Sequence, residues 1–185
     1  MEPLESRLLL DSEGVAIGTD VHLTLSFAED GTQIAQQPSA LEATFDAIVP
    51  TANWQAAVLQ GFQSWAIHTN ADIGLVGDGG DPFGTPGAAQ RDSRFGDVRV
   101  GAIDLDPQVG AVSVAVDELV AGTWFADVVF NSAFDYQSLA DILAVATHEA
   151  GNVFGLDDNN EPNSPLFTGG QPTVATTTEN DIDLL

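Results

Sequence analysis

Cysteine is absent from the 185 residues, and so is lysine. The first absence excludes disulfides, thiol catalysis and thiolate metal sites, and leaves oxygen and imidazole as metal ligands. Imidazole is scarce too: His22, His68 and His148 are the three histidines. The second absence leaves four arginines against 28 acidic residues, a formal net charge of −24. A surface that negative repels phosphate backbones and anionic lipid, which argues against nucleic-acid and membrane-surface partners. No apolar run approaches the roughly 18 residues of a membrane span. Methionine occurs once, at position 1.

What is present suffices for one domain. Apolar residues make up 44% of the chain, enough to bury a core at this length. Alternation predicts strands at Val21–Phe27, Ile73–Val76, Val98–Ile103, Val112–Val116 and Phe125–Phe130. Trp54, Val58, Phe62 and Trp65 form one stripe of an amphipathic helix, with Thr51 or Asn53 as its expected cap. Leu139, Ile142, Leu143, Ala146, Ala150 and Val153 mark a second helix, and Gly155 is its stop signal. Residues 28–51 read as polar and turn-rich, and Gly77–Gly87 as a loop. Thr178–Leu185 starts like a capped third helix and ends early. The pattern predicts a single α/β or α+β domain.

The second helix carries Thr147-His148-Glu149-Ala150-Gly151-Asn152-Val153-Phe154-Gly155-Leu156-Asp157-Asp158. In the signature H-E-x-x-H, two imidazoles at i and i+4 share a helix face and grip one ion, and the glutamate activates its water. A following G-x-x-H or G-x-x-D turns the chain so that a third ligand returns beneath the metal, through a positive φ at the glycine. His148, Glu149, Gly155 and Asp158 fall in that register; Asn152 stands in the second histidine's place. A lone His-Glu pair on a helix is ordinarily just a polar face, and the spacing to Asp158 is what raises this one above it.

On these residues the chain resembles a matrixin-type metzincin, the matrix-metalloprotease family, in its bacterial members. The likeness extends from Leu23-Thr24-Leu25-Ser26-Phe27 through the Trp54–Trp65 helix and Ala71-Asp72-Ile73. It continues over Asp92–Ala102 and Ala126–Ser132, covering most of residues 20–183. The resemblance implies a metzincin-like α+β fold over 20–185: a twisted mixed sheet of about five strands, two long helices and a truncated third. It also implies an edge strand that pairs with an extended peptide, and zinc-dependent hydrolysis of internal peptide bonds. His148, Asn152 and Asp158 would be the metal ligands and Glu149 the catalytic base. Gly155 and Leu166 would form the turn beneath the metal, Leu166 standing where the family has methionine.

The departures carry weight. An amide oxygen is a poorer zinc donor than imidazole, so Asn152 predicts a weakened zinc site. The loop Gly77-Asp78-Gly79-Gly80-Asp81-Pro82-Phe83-Gly84 echoes the family's structural zinc and calcium loop but lacks its histidines, and Gly84 replaces a ligand aspartate. No second zinc is expected, and Ca2+ is at most a candidate there. His68 is expected to close the first helix, and His22 to point outward from the first strand. Asp157–Glu161 lacks the glycine of a calcium-binding EF-hand loop and reads as a solvated turn plus one ligand, Asp158.

Residues 1–19 read as a targeting-like or disordered segment. Leu4-Glu5-Ser6-Arg7-Leu8-Leu9-Leu10 resembles the L-E-P-R-x-L-L motif at the N-termini of many surface-associated bacterial proteins, which implies an extracytoplasmic or cell-surface destination. Three functions follow in order: a zinc endopeptidase acting on protein or peptide substrates; a catalytically degenerate metzincin-fold module with an acidic binding surface; and a calcium-stabilised structural domain.

Overall fold

The computed structural model describes residues 21–69, 71–88, 91–114, 127–168 and 172–184. The expected segment 1–19, Val116, Phe125 and Ala126 lie outside them.

The alternating segments form one sheet. Strand β1 is Val21–Phe27. Two short strands, β2 (Gln33–Ile34) and β3 (Gln37–Pro38), make a separate antiparallel hairpin. The main sheet is completed by β4 (Ala71–Leu75), β5 (Val98–Ile103), β6 (Ala111–Val114) and β7 (Asp127–Asn131), in the order β4-β1-β5-β7-β6. The first three pairings are parallel, with Leu25 opposite Val98 and Val100 opposite Val128. Among the described strands β6 alone runs antiparallel, placing Ser113 opposite Val128 at the sheet edge. The five-strand mixed sheet is therefore as expected.

Helix α1 (Leu41–Asp46) lies in the stretch read as turn-rich. Its apolar content is a single i, i+4 pair, Leu41 and Phe45, both fully buried, too short a pattern to register as periodicity. Among the described residues the domain thus has four helices rather than three. Helix α2 (Thr51–Ala66) buries the predicted stripe of Trp54, Val58, Phe62 and Trp65 completely. Its N-cap is Pro50 and no side chain caps it; the Thr51 hydroxyl donates instead to Asp46 Oδ1 at 2.8 Å. The expected Thr51 or Asn53 cap is corrected accordingly. His68 lies beyond the end of α2 at Ala66 and is exposed. Helix α3 (Leu139–Val153) buries Ile142, Ala146, Ala150 and Val153. Helix α4 (Glu179–Ile182) is a single turn closed by a capping box between Thr178 and Asp181.

The large core joins α2 and α3 to one sheet face through Leu23, Leu25, Val98, Val100, Val128 and Phe130. A smaller core of Ala28, Ile34, Phe83, Ile103 and Val129 covers the other. Among the described residues no helix is long and apolar enough to cross a membrane.

Candidate metal centre

The site is built at the C-terminal end of α3, where that helix is tied on both sides. From α2, the Trp65 indole N–H donates to the Thr147 carbonyl at 2.8 Å, next to His148. From the sheet edge, the Ser113 hydroxyl lies 2.7 Å from Glu149 Oε2 and 3.1 Å from the Glu149 carbonyl. Glu149 is buried, with 4% of its surface exposed.

Past α3 the chain reverses as the sequence register requires. Gly155 adopts φ +90°, a conformation that strains any residue with a Cβ. The Gly155 N–H donates to the Asn152 carbonyl at 2.9 Å and the Leu156 N–H to the Gly151 carbonyl at 3.0 Å. That pair of bonds is the Schellman closure of a helix, and it returns the chain so that Asp158 Oδ1 lies 3.1 Å from His148 Nε2.

The other imidazole nitrogen is fixed. His148 Nδ1 lies 2.9 Å from the Pro165 carbonyl, which can only accept, so Nδ1 carries the proton and Nε2 faces the site. Pro165 precedes Leu166, which is fully buried beneath α3. A Cβ added at Gly151 would meet Leu166 Cδ2 at 2.6 Å, so the close approach of turn and helix depends on that glycine.

The charges in the site are coupled. Burial opposes a charged imidazole, but the Asp158 hydrogen bond, the Glu149 and Asp158 charges and the Pro165 carbonyl outweigh it, and the His148 pKa is pushed up to about 9. The same hydrogen bond holds the Asp158 carboxyl below its ordinary range against desolvation, and the Asn152 side chain adds a further hydrogen bond.

His148 and Asn152 thus both reach Asp158, and Asn152 is the informative member. Its Oδ1 is buried with no hydrogen-bond partner among the described residues, a costly arrangement that a bound cation or water would relieve. Among those residues no three His, Cys, Asp or Glu side chains gather as a metal site, so an ion here would need the Asn152 amide as its third protein donor. One nitrogen and two oxygens make a donor set harder than, and weaker for zinc than, two imidazoles with a carboxylate.

The remaining candidates lie elsewhere. His22 is exposed on β1 and contacts Asp72 on β4. The glycine-rich loop is organised around a guanidinium: Arg99 on β5 donates to both Asp78 oxygens, at 2.9 and 2.7 Å, and to the Asp81 carbonyl at 2.7 Å. Its guanidinium also lies over the Phe83 and Phe95 rings, 4.3 and 4.6 Å from their centres. Asp157 and Asp158 are exposed as expected, but Asn159 is half-buried and bridges Phe167, so the segment is more than a solvated turn.

Sequence reasoning missed the roles of Ser113, Trp65 and Pro165 at this site: Trp65 is legible only as part of the core stripe of α2, and each reaches α3 from a distant element. No protein-family model matches this chain, and neither does any curated protein sequence.

Proposed function

We propose that residues 20–185 form a metzincin-type metallopeptidase domain with one weak zinc site, acting on internal peptide bonds. The observation that carries this reading is the 3.1 Å contact of His148 Nε2 with Asp158 Oδ1, with the Asn152 side chain hydrogen-bonded to the same carboxylate and its own Oδ1 buried without a partner among the described residues. The parallel sheet with one antiparallel edge strand supports the metzincin likeness. The acidic surface and the N-terminal motif support an extracytoplasmic setting.

His148 and Asp158 would hold the ion, with the Asn152 amide oxygen as the weak third donor. Zinc bound there supplies Lewis acidity for the scissile carbonyl and a lowered pKa for its water. Glu149 takes the proton of the attacking water and passes it to the departing amine nitrogen. The Ser113 hydroxyl fixes the carboxylate that performs both transfers. Edge strand β6 offers backbone groups to an extended substrate.

A specific observation favours a second reading. His148 and Asp158 already pair directly at 3.1 Å, and Asn152 hydrogen-bonds Asp158, so three site groups satisfy part of each other's needs without an ion. That is the arrangement of a degenerate module that keeps the fold as an acidic binding surface.

Casein cleavage by the parent, Asn152→His and Glu149→Ala chains separates the two. The peptidase reading expects slow cleavage by the parent, a large increase with Asn152→His, and none with Glu149→Ala. Equal rates in the parent and Asn152→His would remove Asn152 from the ligand set.

A further inference from the structure

A second polar cluster lies directly behind the site. Ser164 is 2% exposed and Asp181 1%. The Ser164 hydroxyl donates to Asp181 Oδ1 at 2.6 Å and accepts the Leu166 N–H at 3.0 Å. The Asn159 side-chain amide donates to Ser164 Oγ at 3.0 Å and to Asp181 Oδ1 at 3.3 Å. The other Asp181 oxygen accepts the Thr178 N–H and hydroxyl, at 2.9 and 2.6 Å. No cation takes part in these bonds; the buried carboxylate is held by four donors.

The cluster stands one residue from each arm of the site. Ser164 precedes Pro165, whose carbonyl fixes His148 Nδ1, and Asn159 follows Asp158. The backbone joins the same arms: the Asn159 N–H donates to the Leu166 carbonyl at 2.8 Å, and the Thr168 N–H to the Asn159 carbonyl at 3.0 Å. We infer that Asp181, acting through Ser164 and Asn159, is a positioning residue that sets the distance between His148 and Asp158. Its importance for metal binding rests on the metallopeptidase reading; its control of the imidazole does not.

The physical case is one of restraint. Backbone bonds tie the ends of the loop from Asn159 to Phe167, and the Ser164 and Asn159 side chains anchor it to α4; a carbonyl that wanders cannot hold an imidazole ring in one orientation. A short, buried, charge-assisted bond from α4 closes that loop at its centre. The fourth helical turn, Glu179–Ile182, then serves to deliver Asp181 to the turn beneath α3.

The test uses the full-length chain, metal-free, with 15N-labelled histidine. The parent is expected to show a slowly exchanging His148 Nδ1–H resonance from its bond to Pro165. Ser164→Ala should abolish or strongly broaden it, and Asp181→Asn, which keeps the side-chain shape, should speed its exchange. Val58→Ala, a core variant that also loses stability, should leave it intact. In zinc titrations of the same chains, Ser164→Ala should weaken affinity by about 10–100-fold. Loss of the resonance without zinc binding in the parent would sustain the positioning role and remove the peptidase reading. An unchanged resonance in both Ser164→Ala and Asp181→Asn would overturn the inference.

Discussion

His148 and Asp158, ten positions apart, meet at 3.1 Å because Gly155 reverses the chain between them. The contact brings together the imidazole of a helix and the carboxylate of the loop that follows it. It also couples their protonation, and with it the stability of the metal-free domain.

The sign follows from the direction of each shift. His148 is raised from its ordinary value near 6.5 to about 9, so its contribution is complete below about pH 6.5 and is lost as pH rises through 9. Asp158 is lowered, so its contribution is present above its ordinary value near 4 and is lost as pH falls. The metal-free parent should lose up to about 3 kcal/mol between pH 6.5 and 9, measured by urea unfolding. Asp158→Asn should lose clearly less over that interval. Identical slopes for the two chains would show that the pair is not formed in solution.

Gly155→Ala should cost about 1–2 kcal/mol through its left-handed backbone alone. It should also separate Asp158 from His148, so the destabilisation by Gly155→Ala and by Asp158→Asn should be less than additive. Additive losses would mean that the turn and the ion pair are independent.

Asp78 and Arg99 form a pair in which both side chains are 1% exposed. Removing one partner strands a buried charge, so Arg99→Met should cost about 3–5 kcal/mol, while Arg99→Met with Asp78→Leu should cost less than the single change. Because a guanidinium already supplies the positive charge in this loop, added calcium should leave the melting temperature unmoved. A rise with calcium would place an ion where Arg99 sits or beside it.

The legible parts of the chain were those encoded locally. The aromatic stripe of α2, the buried face of α3 and the positive φ at Gly155 each follow from residues within a few positions of one another. Asp158 was identified by its distance in sequence from His148, since a helix end and one glycine fix where the chain can return. Helix α1 escaped because two buried residues make no period. The Arg99–Asp78 pair joins β5 to a loop 21 residues earlier, and the Ser164–Asp181 bond spans 17 residues; tertiary packing, not pattern, brings them together. Asp181 was visible only as part of a capped helix, which accounts for one of its oxygens and not the other.

Equilibrium zinc binding, read by competition with a chromophoric chelator on the parent, Asn152→His and His148→Ala chains, tests the metal centre most directly. One zinc per parent chain is predicted, at least about 100-fold tighter binding in Asn152→His because a ligand is gained rather than an outer contact, and none in His148→Ala. Equal affinity in the parent and Asn152→His, or binding that survives His148→Ala, would contradict it.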